Sequence, residues 1–194
     1  MKKEQIVKVG QKIKEMREKL SLSLKDLSEK TGYSESILSQ IENHLISPPL
    51  GALLTISNAL GLSVGKLLGE KTEAPFVIVR EGGELPISRV ASKEGVNYGY
   101  TYMSLGIGKK ERHFEPFLIT LEPTPIKPTG LSVHKGEEFI YVLKGKMEVQ
   151  LKDYKEILNE GDSIYYDSTI PHRVSCVGDS VTKILAIIWG AGEK

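Results

Sequence analysis

The chain changes its pattern of apolar residues about a third of the way along. In the first third, apolar side chains recur every three or four positions, as at Val9, Ile13 and Met16, a spacing typical of helices with one buried face. From Phe76 onward, apolar residues instead form short runs that are rich in β-branched and aromatic side chains. The sequence therefore predicts a helical region followed by a β region.

Five short helices are predicted in the first region, and two of them are joined by a tight turn. Ser23 and Ser34 each precede a helical segment and can cap it. Gly32 lies between the two segments and can adopt the left-handed conformation that often ends a helix. This spacing predicts a helix-turn-helix over residues 23–43.

The second helix of this pair is predicted to have a polar outer face. We expect Ile37, Leu38 and Ile41 to face the core. The outward positions are then Glu35, Ser36, Ser39, Gln40 and Asn43. Short hydroxyl and amide side chains suit close approach to the base edges of DNA, and a glutamine can bond an adenine through two groups. The pattern favours a DNA-binding helix over an ordinary solvated one.

The β region contains seven runs with strand character, separated by glycine, proline or charged turns. They are FVIV, YGYTYMSL, FLITL, EFIYVL, MEVQL, DSIYY and ILAIIW. So many short strands predict a jelly roll or β-barrel. The polar segment GEKTEAP before them has no periodicity, which is typical of a linker. We therefore predict an α+β chain of two domains, with a five-helix domain over residues 1–69, a linker over 70–75 and a β domain over 76–194.

Charge and cysteine content narrow the class of protein. The net charge is +1, and ten Lys/Arg against seven Asp/Glu before residue 70 make the helical region mildly basic. A dimer would double these basic contacts to DNA. The single cysteine, Cys176, excludes an internal disulfide, and the longest apolar run, ILAIIW, is far shorter than the roughly 20 residues that span a bilayer. We expect a cytoplasmic protein with no membrane partner.

Residues 23–43 resemble the helix-turn-helix of the XRE/Cro/C1 repressor family. The likeness extends to IKEMREKLSLSLKDL at the start of this unit and to SPPLGALLTISNALGLSVGKLL after it. It implies that the second helix enters the major groove of DNA. It also implies base contacts from Ser34, Glu35, Ser36 and Gln40, and a phosphate contact from Asn43. In this family an arginine at the position of Arg17 pairs with a glutamate at the position of Glu42.

Two further blocks, GLSVHKGEEFIYVLKG and GDSIYYDSTIPH, resemble the two motifs of the cupin fold, a jelly roll whose interior often holds a metal. The resemblance implies the metal ligands His134, Glu138 and His172, a set of two imidazoles and one carboxylate. Ser132 stands where the family usually has another histidine, which leaves one position to water or ligand. The alternative is that the three residues hydrogen-bond to one another without a metal. If a divalent metal binds, Zn, Fe, Mn and Ni all remain open.

Three tyrosines near these motifs are candidate ligand-binding residues, together with Ser132. Tyr100 and Tyr102 alternate along one predicted strand and so share a face, and Tyr165 lies shortly before His172. Tyrosines at such spacing are more often half-buried residues of a core or an interface. The sequence leaves both interpretations open.

A DNA-binding head joined to a barrel with a polar pocket predicts a transcriptional regulator whose affinity for DNA depends on a bound small molecule. The resemblance implies a homodimer joined through its cupin domains, with recognition helices about 34–36 Å apart on a palindromic operator. No catalytic residue is expected.

The alternative is a non-haem iron oxygenase similar to hydroxypropylphosphonate epoxidase, which has the same two-domain layout and the same His/Glu/His set. That enzyme closes its site with a lysine from its helical domain, whereas the aligned residue here is Ser21. The sequence therefore favours the regulator.

Overall fold

The computed structural model describes residues 9–46, 48, 50–62, 64–67, 74–82, 85–88, 100–123 and 131–190. Within these ranges a helical N-terminal region precedes a C-terminal region of β-sheet, which confirms the predicted α+β class. The predicted linker lies mostly outside the described residues. None of the helices in the described ranges is long and apolar enough to cross a membrane.

The helical region begins with four helices of eight residues or more. They are α1 Val9–Lys19, α2 Leu24–Thr31, α3 Glu35–Glu42 and α4 Leu50–Ala59. A single helical turn, α5 Val64–Leu67, follows them, so the fifth predicted helix is only one turn long. The four longer helices share one core, which contains Ile13, Leu27, Leu38, Ile41, Leu53 and Ile56.

Local sequence fixes the turn between α2 and α3, as predicted. The Ser23 hydroxyl accepts a hydrogen bond from the amide of Asp26, whose carboxylate accepts one from the amide of Ser23, and this completes a capping box. Gly32 then ends α2 with a φ of 75°, a left-handed conformation that glycine adopts without strain. Ser34 caps α3, because its hydroxyl accepts from the amide of Ile37 at 3.3 Å.

Nine strands lie in the described part of the β region. They are β1 Leu85–Ser88, β2 Tyr100–Ser104, β3 Glu115–Leu121, β4 Glu137–Lys144, β5 Lys146–Leu151, β6 Tyr154–Asn159, β7 Ser163–Asp167, β8 His172–Cys176 and β9 Thr182–Trp189. Strands β1, β6 and β8 do not correspond to any predicted run.

The predicted FVIV strand is wrong. Residues 76–80 are irregular, and Phe76 is 69% exposed. Ala74 pairs with Lys109 just before this segment, but the chain then continues without a ladder partner among the described residues. Strand-forming residues alone do not make a strand, because each strand needs a neighbour for its backbone hydrogen bonds.

The strands form two antiparallel sheets, one with the order β1-β2-β3-β9-β4-β7 and one with the order β6-β5-β8. Along β4, the side chains of Glu138, Ile140 and Val142 are buried and alternate with exposed Tyr141 and Leu143. The buried residues of β4 join the core that also contains side chains of β5 and β9. The larger sheet thus carries Glu138 on its inner face.

Candidate functional site

Helix α3 presents the predicted DNA-contacting residues along its outer side. Four of these residues are exposed: Ser34, Glu35, Ser36 and Asn43. The other two, Ser39 and Gln40, are half-buried. The Gln40 amide nitrogen donates to the Ser36 hydroxyl at 3.3 Å, and the Asn43 amide nitrogen donates to the carbonyl oxygen of Ser39 at 2.8 Å. The Gln40 amide keeps a second N–H and its oxygen for DNA, whereas the Asn43 amide nitrogen also donates to the Ser39 hydroxyl at 3.3 Å, which leaves the Asn43 oxygen as an acceptor.

Ile37 is the residue of α3 that the sequence prediction places wrongly. It is 40% exposed, because the buried face of α3 consists of Leu38, Ile41 and Glu42. At about 100° per residue, Ile37 lies roughly a quarter-turn from the centre of that face. An exposed apolar side chain beside the polar face can contact the methyl group of thymine. We therefore add Ile37 to the candidate DNA-contacting residues.

Arg17 of α1 and Glu42 of α3 form the ion pair that the family resemblance implies. The Arg17 Nε and Nη2 atoms donate to the two carboxylate oxygens of Glu42 at 2.7 and 2.8 Å, and Nη1 donates to the carbonyl oxygen of Leu22 at 2.8 Å. The bonds to Glu42 raise the pKa of Arg17. Because a bidentate pair fixes both distance and angle, it sets the orientation of α3 on α1.

The three predicted metal ligands lie together in the interior of the β region. The Nε2 atom of His134 is 2.8 Å from Glu138 Oε1, and the Nε2 atom of His172 is 3.7 Å from the same oxygen. All three residues are buried, and one ligand atom from each lies within 4.8 Å of the others. Ser132 and His172 exchange backbone hydrogen bonds of 2.8 and 2.9 Å, which hold the segment that carries His134 beside β8.

Hydrogen bonds around this cluster set its protonation. The Nδ1 atom of His172 lies 2.8 Å from the carbonyl oxygen of Ile170, which assigns the proton to Nδ1 and leaves the Nε2 lone pair facing Glu138. Burial lowers the pKa of His172, which favours the neutral imidazole. Burial alone would raise the pKa of Glu138, but the hydrogen bonds from His134 and Tyr166 oppose it, and the pKa is lowered. The carboxylate is therefore ionised.

Tyr166 belongs to this site, whereas Tyr165, the predicted ligand-binding residue, faces away from it. The buried Tyr166 hydroxyl donates to Glu138 Oε2, and burial raises the pKa of Tyr166, so the phenol stays protonated. Tyr165 is 65% exposed and bonds to Glu137 on the outer face of the sheet. Successive side chains of a strand point to opposite faces. The register that pairs Glu138 with Tyr166 decides which tyrosine faces inward.

A pocket of about 70 Å³ opens beside the cluster. Two of the predicted ligand-binding residues, Tyr102 and Ser132, line it together with Glu138 and His172. The side chain of Tyr100 lies outside the described residues. Much of the remaining wall is apolar and contains Ile119, Ile140, Ile184, Ala186 and Ile188.

Sequence reasoning missed one side of the pocket, which Leu50 and Gly51 of α4 supply. No local signal in the sequence marks a contact between a helix of one region and a pocket of the other. Pockets for drug-sized molecules measure several hundred Å³. With α4 in this position the pocket admits only a small ligand.

The donor set fits a divalent metal. Two imidazole nitrogens and one carboxylate oxygen are ligands that Zn, Fe, Mn and Ni accept, and three protein ligands leave coordination positions open to a small molecule. His134, Glu138 and His172 would hold the ion, and Tyr166 would fix the carboxylate from behind. A bound ion would supply positive charge for the oxygen atoms of a ligand. The same residues also form a hydrogen-bonded network by themselves, because His134 and Tyr166 both contact Glu138.

Known proteins share both halves of this arrangement. The helix-turn-helix family matches residues 13–67 and the cupin domain family matches residues 117–188. The HTH-type transcriptional regulator SinR of Bacillus licheniformis is 35% identical over 111 residues, which are 57% of this chain and 88% of SinR. The HTH-type transcriptional regulator PuuR of Escherichia coli is 24% identical over 91% of this chain and 92% of PuuR. The chain therefore belongs to the HTH-type transcriptional regulators, and it is an XRE-type member with a cupin domain.

Two further likenesses extend over nearly the whole chain. An HTH-family transcriptional regulator from Vibrio cholerae has the same fold, with a TM-score of 0.64 and 22% identity over 94% of this chain and 95% of its own. The (S)-2-hydroxypropylphosphonic acid epoxidase of Streptomyces wedmorensis is 26% identical over 188 residues, covering 90% of this chain and 92% of the enzyme. Likeness over nearly the whole chain thus extends to regulators and to an enzyme, so the sites must distinguish the functions.

Proposed function

We propose that the chain is a homodimeric, sequence-specific regulator whose cupin pocket binds a small effector, alone or with a divalent metal. The observation that carries this proposal is the exposed polar face of α3, which the buried Arg17–Glu42 pair holds in place. We assign DNA binding to residues 1–69, a linker to 70–75 and sensing to 76–194, and we place the protein in the cytoplasm with its DNA.

Replacing Gln40 with alanine should lower the affinity for the operator by roughly 1–3 kcal/mol and relax base preference at one position in each half-site. Gln40 makes its side-chain bond to Ser36 on the surface of α3, so the fold should persist. Fluorescence anisotropy on the upstream region of the protein's own gene, and on random duplex DNA, measures both effects.

The matched control for this variant is Gln11→Ala. Gln11 of α1 is exposed and its amide bonds Glu15 four residues on, much as that of Gln40 bonds Ser36. The Gln11→Ala variant should bind the operator with the affinity of wild type. If Gln40→Ala binds the operator and random DNA with the same two affinities as wild type, α3 does not read the DNA sequence through Gln40.

The outer face of the larger sheet is the surface that we propose for the dimer. It carries apolar and aromatic side chains on three adjacent strands: Phe139, Tyr141 and Leu143 of β4, Tyr165 of β7, and Leu185, Ile187 and Trp189 of β9. Tyr141, Leu143, Tyr165 and Trp189 are all exposed in the single chain. A contiguous exposed apolar face of this kind usually marks an interface. A second copy would cover it by a two-fold contact.

The variant Tyr141→Lys should therefore raise the dissociation constant of the dimer at least about tenfold. A lysine in an apolar interface loses its hydration without gaining a partner. Tyr154→Lys is the matched control, since Tyr154 is also an exposed tyrosine but lies on β6 at the edge of the other sheet. Sedimentation velocity over a concentration series compares the two. A dimer that resists Tyr141→Lys and dissociates with Tyr154→Lys would move the interface to the smaller sheet.

An iron enzyme is the second candidate, and the buried His134, Glu138 and His172 together with the likeness to the epoxidase favour it. Against it, the position at which the resemblance requires a lysine is Ser21, which is exposed. The discriminating measurement is oxygen consumption by the Fe(II)-loaded protein with small organic phosphonates and acids. If the Fe(II)-loaded protein turns over such a substrate and does not bind an operator, the protein is an iron enzyme and not a regulator.

A further inference from the structure

The first turn of α4 lies directly on the cupin pocket. The amide of Leu50 donates to the hydroxyl of Tyr102 at 3.2 Å in a buried position. Leu50 and Gly51 also line the pocket, as do Glu138 and His172. The helical region and the β region therefore meet at the sensing site itself.

Gly51 lies so close to the β region that a side chain at this position would have no room. A Cβ atom at this position would lie 2.9 Å from His134 Cδ2 and 3.1 Å from Ser132 Cβ. The His134 ring cannot easily move aside, because it is buried and its Nε2 atom is bonded to Glu138. Alanine is the better helix former, yet only glycine lets α4 come this near to the cluster.

Helix α4 is also packed into the core that holds the recognition helix. Its residues Leu53 and Ile56 are fully buried, in the same core as Leu27 of α2 and Leu38 of α3. Close-packed cores move as units and do not deform continuously. A displacement of α4 from the pocket therefore changes the position of α3 relative to the cupin domain.

We propose that α4 transmits the occupancy of the cupin pocket to the recognition helix, an inference that rests on the function proposed above. With α4 seated, the pocket has only about 70 Å³ of free space, and Gly51 closes one side of it. An occupant that extends beyond this volume toward Gly51 displaces the first turn of α4. In a dimer this displacement alters the relative placement of the two α3 helices and thereby changes operator affinity.

The variant Gly51→Ala tests this inference in the full-length protein without a ligand, because its added methyl group presses where an occupant would press. We expect operator affinity to change at least about fivefold, the lower end of typical allosteric coupling. Gly190→Ala is the matched control: its added methyl would meet only Asn58 Nδ2 of α4, at 3.9 Å, which is an ordinary contact. It should bind operator within about twofold of wild type.

A second variant loosens the same contact without adding volume. Tyr102→Phe removes the acceptor of the Leu50 amide. It should shift operator affinity in the same direction as Gly51→Ala and by a smaller factor. Circular dichroism of each variant checks that the helical region remains folded, and Tyr102→Phe keeps the test decisive if Gly51→Ala does not fold.

The outcomes separate this inference from the proposed function. No operator binding by wild type would overturn both. Operator binding by wild type that Gly51→Ala and Tyr102→Phe leave unchanged, or that they shift in opposite directions, would overturn the inference alone.

Discussion

Replacing Glu42 with alanine should destabilise the helical region by about 3 kcal/mol. The change leaves the Arg17 guanidinium buried without its bidentate partner, and breaking a buried ion pair in this way typically costs 3–5 kcal/mol. We expect the lower end of this range, because the Glu18 carboxylate lies 3.9 Å from Arg17 Nη2 and can compensate in part. Urea unfolding followed by the helical circular-dichroism signal measures the effect.

Two further variants isolate the cause. Glu18→Ala should change the free energy of unfolding by less than about 0.5 kcal/mol, since exposed ion pairs contribute little. The double variant Arg17→Met with Glu42→Leu should recover most of the lost stability, because apolar side chains of similar volume need no partner. The expected loss in the free energy of unfolding of Glu42→Ala is about 3 kcal/mol. A loss below about 1 kcal/mol would contradict the role of this pair in holding α3.

The variant His172→Ala should abolish the response of the protein to its effector while it leaves DNA binding nearly intact. His172 begins β8 and belongs to the buried cluster, whereas the proposed DNA-contacting residues lie along α3 and at its two ends. We expect a folded dimer that binds operator within about tenfold of wild type, as allosteric coupling allows. The ligand-dependent change in that affinity should largely disappear.

Metal content provides a second readout of the same variant. Two remaining protein ligands rarely hold a divalent ion in competition with water. Any metal that copurifies with wild type should therefore fall to background in His172→Ala. The matched control is His113→Ala, since His113 is exposed and outside the cluster. A His172→Ala protein with an undiminished ligand response would place sensing elsewhere.

The sequence predicted best those features that depend on neighbouring residues or on a family motif. The helix cap at Ser23 and the helix stop at Gly32 are set within a few residues, and the structure has both. His134, Glu138 and His172 stand at motif spacing, and the fold brings them within reach of one ion. Such features need little knowledge of the rest of the chain.

The features that the sequence could not supply depend on register and long-range packing. Tyr165 and Tyr166 are adjacent and chemically identical, so only the pairing of β7 with β4 decides which one reaches Glu138. Ile37 is exposed because Glu42 takes a buried place on α3, which in turn requires Arg17 from another helix. The contact of Gly51 with His134 joins residues that are distant in the chain and belong to different regions.

The most direct test of the account is to select bound sequences from a pool of random DNA duplexes with the full-length protein. We predict enrichment of a palindrome whose half-sites are centred about 10–10.5 base pairs apart, since a two-fold dimer places its recognition helices one turn of DNA apart. Gln40→Ala should lose base preference at one position in each half-site. A pool that shows no enrichment with wild-type protein, at protein concentrations where the dimer forms, would contradict the assignment of α3 as a sequence-reading helix.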